Sequence, residues 1–357
     1  MQSGGTSDIH ALFAKRLSQA RRMAGLSLRE LSDKMQPSVS YNALHKYESG
    51  EMLPESGILL SLAQALVQPV DFFFRPMTVN LETIEFRKKS KLTPKQIEAI
   101  REQATDFFER YLQVEQALGL DTHFGNPLAN RMITQTHDVE HAVESLRDQW
   151  KLGWSPLSNV VELLEHRHIK VLLHSFDPGF DGFSGWSGNT PVIVLNSSFS
   201  KDRIRFTALH ELGHLLLKFD SSFDEKEIEK LCHRFAGAML LPEQVFKEEF
   251  GGYREQISLE ELKDIKEDYG ISIAAIMMRA RDLEYVSDSL LKHFWKLRMA
   301  KGWDKNEPGD YTGEAFPNRF DQLLHRAAAT EALSLSLAAS LGKIKLADFR
   351  EGLQFIP

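Results

Sequence analysis

The sequence contains a single cysteine in 357 residues, Cys232. One thiol cannot close an internal disulfide or build a thiolate metal site, so any metal here must be held by histidine and carboxylate. Long apolar runs are missing as well. No stretch reaches the roughly 18 consecutive apolar residues of a spanning helix, and the opening MQSGGTSDIH has neither the basic nor the apolar part of a signal peptide. These absences point to a cytoplasmic protein without a membrane segment. A basic surplus is also lacking: 43 Lys and Arg face 50 Asp and Glu, a net charge of -7, which on the whole-chain sum argues against nucleic acid. The sum hides an asymmetry. Residues 1–76 carry 8 basic and 7 acidic residues, and the remainder 35 and 43, so the acidity lies outside the N-terminal part. Histidine, by contrast, is plentiful at 13 residues. With 42% hydrophobic and 26% charged residues the composition is that of a folded soluble protein, long enough for two or three domains with cores of their own.

Residues 1–11 read as a flexible N-terminus. From Leu12 to Pro76 the pattern predicts four short helices. Phe13, Leu17, Ala20 and Ala24 recur at helical spacing before Gly25, a residue suited to a C-cap. Ser27 with Glu30 is a capping box opening the second helix, SVSYNALHKYESGEMLP holds a third ended by Gly50, and SGILLSLAQAL a fourth ended before Pro69. Residues 77–135 form a linker with a long helix. Thr93 is its N-cap, Pro94 its first residue and Gln96 the partner in a capping box, with Ile97, Ile100, Phe107, Tyr111 and Val114 on one face. After the break at GNPLAN comes a helix around HDVEHAVESLRDQW. IKVLLHS and PVIVLN are short apolar runs that read as strands, with DGFSGWSGNT between them as a Gly-rich loop or hairpin. KDRIRFTALHELGHLLLKF and EKEIEKLCHRFAGAMLL, the latter ending at Pro242, are helices, and 251–357 is a mostly helical C-terminal region. The fold class is α+β, mostly α.

HELGH, His210 to His214, carries the most chemistry. Two histidines four apart project from one face of a helix, and Glu211 beside the first can address water at a cation they share. The motif lies on an apolar helix with Phe206, Leu209, Leu212, Leu215 and Leu216, which would hold the imidazoles rigidly. Gly213 costs that helix about 1 kcal/mol relative to alanine, which implies a close neighbour. A catalytic zinc takes three protein ligands and keeps one open position. No histidine follows at metzincin spacing, so a downstream carboxylate completes the set: Glu229, with Glu225 and Glu227 as alternatives that spacing does not separate strongly. Cys232 reads as a small buried hydrophobe.

The run NSSFSKDRIRFTALHELGHLLL, followed by EIEKLCHRFAGAMLLPE, resembles the ImmA/IrrE metallopeptidase family, and DGFSGW upstream fits the same pattern. The resemblance covers about residues 155–250. It implies a zincin-like domain with a small sheet over 136–250, Zn2+ on His210, His214 and Glu229, and Glu211 as the catalytic base. The family has an Asn four residues after the third ligand; here that position is His233. His233, Tyr253 and Tyr269 are candidates for stabilising the oxyanion, although for His233 a helix residue satisfied by local polar contacts is the plainer reading.

The segment LSLRELSDKM, a turn and then SVSYNALHKYESGEMLP suits a helix-turn-helix, with the start of its second helix meeting base edges. Together with Tyr47, Glu48, Gly50 and Pro54 it resembles the XRE, or lambda-repressor-like, family over roughly Leu12 to Phe74, within a DNA-binding domain of 12–76. That resemblance implies Tyr41, Asn42 and Lys46 in the groove, and Asn42 can read adenine bidentately. Arg29, Arg16, Arg21 and Arg22 are phosphate candidates. Phe72, Phe73 and Phe74 read as packing, and the basic run Arg87, Lys88, Lys89 and Lys91 as a solvated linker or a phosphate track.

The expectation is a homodimeric, DNA-binding transcriptional regulator with a double-stranded operator. Its zinc endopeptidase domain cleaves a protein or peptide substrate, a protein regulator in a stress or mobile-element response; no organic cofactor is expected. The alternative is a repressor or antitoxin-like regulator whose peptidase-like domain senses a ligand or partner without catalysis.

Overall fold

The structure, a computed structural model, describes residues 4–79, 92–120 and 123–353. The basic run from Arg87 to Lys91 lies outside the described residues. The chain begins with helices α1 (Gly4–Met23), α2 (Leu28–Lys34), α3 (Tyr41–Glu48), α4 (Ser56–Leu66) and α5 (Pro94–Ala117). It continues through β1 (Met132–Ile133), α6 (Asp138–Gln149), α7 (Val160–His166), β2 (Lys170–His174), β3 (Gly182–Ser187), β4 (Thr190–Asn196), α8 (Lys201–Leu216) and β5 (Lys218–Phe219). Helices α9 (Glu225–Leu240), α10 (Glu243–Phe250), α11 (Leu259–Tyr269), α12 (Ile273–Asp282) and α13 (Asp288–Ala300) follow, then α14 (Arg319–Ala329), α15 (Leu335–Gly342) and α16 (Leu346–Gly352). The class is α+β, mostly α. No described helix is long and apolar enough to cross a membrane.

Two compact units result. One holds the described residues up to 79, 92–120 and those from Phe320 on; the other holds 123–319.

In the first unit, Phe13, Leu17, Leu31, Leu44, Leu62, Phe72 and Phe73 form one core. Helix α1 begins at Gly4, ahead of the expected start, and His10 Nδ1 on this added length lies 3.3 Å from the Gly50 carbonyl. Both capping boxes read from the sequence, Ser27 with Glu30 and Thr93 with Gln96, are formed. Helix α3 is shorter than its expected segment and starts only after the N-cap Ser40. The long helix α5 is more than a connector. It ties to α1 through Gln103 Nε2 on the Met23 carbonyl and, further along, through Glu109, buried 2.6 Å from Arg16. Its second half packs Tyr111 and Val114 against Phe320, Leu324, Leu341 and Phe349 of the last three helices. Burial alone would raise the Asp106 carboxyl of α5, but Arg110 and Lys343 outweigh it and hold it below the usual carboxylate range.

The second unit is built around a three-stranded sheet ordered β2-β4-β3, with β2 parallel and β3 antiparallel to the central β4. β4 is covered on both faces, which is why PVIVL is a continuous apolar run. β3 and β4 form a hairpin across Gly188-Asn189, where Gly188 takes φ +57, the glycine-first pattern of a II′ turn. Gly182 on β3 allows the sheet to meet α8: a Cβ there would stand 2.7 Å from the Val194 carbonyl oxygen and 3.0 Å from Thr207. At the end of β4, Asn196 donates to the carbonyls of Phe176, Asp177 and Phe180 and accepts from two backbone N–H groups, pinning the loop before β3. Fully buried Arg205 of α8 does similar work, donating to the carbonyls of Leu157, Ser158, Tyr269 and Gly270. Burial pushes its guanidinium down to about 10.

Buried Glu165 on α7 accepts from the N–H groups of Asn318 and Arg319 at 3.0 and 3.1 Å. Burial pushes its carboxyl up to about 7. A carboxyl raised on folding contributes stability below its unfolded value of about 4.3 and loses that contribution as pH rises through about 7. Glu165→Gln stays neutral and can accept the same two bonds. It should exceed wild type by about 3–4 kcal/mol at pH 8 in chemical denaturation, with the gap closing toward pH 4.5; a constant gap would rule out Glu165 ionisation as its source.

Candidate functional site

Helix α8 carries HELGH, and α9 lies against it at Gly213. A Cβ at that glycine would meet Phe235 at 3.2 Å and Cys232 at 3.5 Å, so the costly glycine is what allows the two helices to touch. Cys232 is fully buried in that contact. The approach brings Glu229, one turn before Cys232, over the two imidazoles. His210 Nε2 and His214 Nε2 are 3.0 Å apart, His214 Nε2 is 3.3 Å from one Glu229 carboxylate oxygen, and His210 Nε2 is 3.7 Å from the other. Ligands about 2.0–2.1 Å from a tetrahedral ion stand about 3.3–3.4 Å from one another. The three edges average that spacing, so the donor set fits a single divalent ion of the zinc type. His210 is 2% exposed, while His214 and Glu229 keep about a quarter of their side chains exposed, leaving one side accessible.

Glu211 is 3% exposed on the same helix, and Ser184 Oγ of β3 donates to its carboxylate at 2.9 Å. Ser184 was not singled out from the sequence. Its signal was DGFSGW, whose serine the hairpin places opposite α8. Of the alternative ligands, Glu227 is spent on the helix terminus, where its carboxylate accepts the Asp224 N–H in a capping box. His233 packs its ring 4.3 Å from that of His210. Tyr269 is engaged elsewhere. Its hydroxyl donates to Glu249 at 2.9 Å, and burial with that carboxylate pushes it well above the usual phenol range. Tyr253 is exposed and, with His233, Phe206 and Trp295, lines a groove of about 1780 Å³ in the same unit.

Residues 164–281 match the family model of the IrrE N-terminal-like domain, a peptidase family, and residues 17–72 match that of the helix-turn-helix. The chain carries both domains. A search of the curated proteins finds no match. The IrrE-like domain spans α8, α9 and the sheet, and so includes His210, Glu211, His214 and Glu229.

In the helix-turn-helix domain, Tyr41, Asn42 and Lys46 are exposed on α3, and Arg29 is exposed on α2 with its guanidinium 6.0 Å from the Tyr41 ring centroid. The other arginines expected at phosphates are committed elsewhere. Arg16 is 1% exposed and donates to Glu109, Gln19 and the carbonyls of Arg75 and Pro76. Arg21 makes a bidentate pair with Glu48, and Arg22 pairs with Glu98 and Glu102. Phe72 and Phe73 are in the core as expected, while Phe74 stays 41% exposed.

Proposed function

We propose that this chain is a DNA-binding transcriptional regulator, acting in the cytoplasm as a homodimer, whose IrrE-like domain is a zinc endopeptidase directed at a protein regulator. The observation that carries the enzymatic half is the triangle of His210, His214 and Glu229 with the buried, serine-held Glu211 beside it. A divalent ion held there would supply Lewis acidity, polarising a scissile carbonyl and acidifying water. The chain's own part is proton handling. Glu211, oriented by Ser184, takes a proton from the attacking water and returns it to the leaving amine. The groove lined by Phe206, His233 and Tyr253 adjoins the centre through His233, whose ring lies 4.3 Å from that of His210, and supports binding of an extended peptide there. Metal analysis of the purified protein tests the reading, with one zinc per chain expected; a chain that takes up no divalent ion would sink it.

The DNA-binding half rests on the exposed row Tyr41, Asn42 and Lys46. Asn42→Ala should weaken operator binding by about 1–3 kcal/mol while leaving non-specific DNA affinity unchanged. An equal loss on both DNAs in a mobility-shift titration would show that Asn42 reads no base. The second reading, a ligand-sensing repressor without catalysis, draws on the size of the same groove. A regulon that responds normally in a Glu211→Gln strain would favour it.

A further inference from the structure

His233 follows Glu229 by one turn of α9, and its Nδ1 lies 2.6 Å from the Glu229 backbone carbonyl. A carbonyl only accepts, so Nδ1 carries the proton and the lone pair of the neutral ring is on Nε2. Metal-ligating histidines are arranged in this way, one nitrogen offered to the ion and the other N–H held by a carbonyl that fixes tautomer and orientation. The neighbours agree. His210, Glu229 and His233 each offer a ligand atom, all within 4.8 Å of one another, and the His210 and His233 rings pack at 63° with 4.3 Å between centroids. The remaining gap of at most about 1.5 Å to the roughly 3.3 Å of tetrahedral neighbours is one that an exposed ring can close by tilting about its Nδ1–carbonyl contact, without giving that bond up.

We propose that His233 Nε2 is a fourth protein ligand, so that the resting centre is closed by two histidines of α8 and a glutamate and a histidine of α9. This rests on the metal-centre reading above. Four protein ligands leave no open position, whereas a catalytic site keeps one. His233 is therefore a displaceable cap. It lines the groove beside Phe206, its ring 5.9 Å away, where an entering peptide meets it. No proton needs to move, since Nδ1 keeps its own throughout.

X-ray absorption at the zinc edge of the full-length protein loaded with one equivalent of zinc counts the imidazoles. Three are expected in wild type and two in His233→Asn, whose amide can still donate to the Glu229 carbonyl but offers no ring nitrogen. Chelator competition should show zinc affinity at least about tenfold weaker in the variant. The apo proteins should share one circular dichroism spectrum. Two imidazoles in wild type, together with unchanged affinity in the variant, would overturn the cap and leave the three-residue centre standing. A wild type that binds no zinc would overturn both. The wild-type count decides even if the variant folds poorly.

Discussion

Glu211→Gln should keep its fold and its metal yet hydrolyse peptides about 10²–10⁴-fold more slowly than wild type, the contribution of a positioned general base. Glutamine preserves the shape of the side chain and can still accept from Ser184 Oγ, which lies 2.9 Å from the carboxylate in wild type. What it loses is the capacity to take a proton. Digestion of a peptide library read by mass spectrometry measures the loss, and metal content measured alongside separates it from a broken centre. Ser184→Ala removes the orienting bond and keeps the base, so its loss should be smaller. Equal turnover in Glu211→Gln and wild type would remove Glu211 from the chemistry.

Arg279→Met should cost the second unit about 3–5 kcal/mol, the usual penalty for removing one partner of a buried ion pair. Arg279 is 2% exposed, and its two terminal nitrogens each lie 2.6 Å from an oxygen of buried Glu140. Among the described residues, Arg234 at 2.7 Å would then answer that carboxylate alone. Burial alone would raise the Glu140 carboxyl, but Arg279 and Arg234 outweigh it and hold it below the usual range. A carboxyl depressed on folding contributes its stability above the unfolded value of about 4.3 and loses it as pH falls through the folded value. The gap between variant and wild type in denaturant titrations should therefore shrink on acidification. Adding Glu140→Gln should restore part of the loss by removing the stranded charge. Because Arg279 Nε also donates to the Leu241 carbonyl at the end of α9, the variant should also bind metal less tightly through a looser Glu229. A loss below about 1 kcal/mol that ignores pH would mean that the pair is not buried as described.

The local parts of this architecture were legible in advance. HELGH on an apolar helix and the capping boxes of α2 and α5 depend on neighbours within a few residues and form where the pattern puts them, whereas strand β3 lies in DGFSGWSGNT, which reads only as a Gly-rich loop or hairpin. Gly213 was legible as a close contact but not as a contact with Cys232 and Phe235. Arg16 and Arg21 were misread as DNA-facing for a related reason. A cation on an amphipathic helix looks the same in sequence whether it faces solvent or a carboxylate, and Glu109 stands 93 residues from Arg16. The segment after Gly251 reads as mostly helical, which does not say where its helices pack. The apolar stripe of α14 to α16 finds its partner on α5, far away in the chain.

By itself, the sequence determined which chemistry is available: with one cysteine, any metal site must use histidine and carboxylate, and HELGH supplies two imidazoles and a carboxylate at one helical spacing. It also determined that the basic residues are not outnumbered in the helix-turn-helix. The sequence favours Glu229 without separating it strongly from Glu225 and Glu227; a capping box takes Glu227, and the tertiary structure brings Glu229 to the imidazoles by docking α9 at Gly213. It likewise brought Ser184 to Glu211 and His233 to His210. The physical reason is one of range: helical period and caps are set by near neighbours, whereas ligand geometry is set by how closely two surfaces pack.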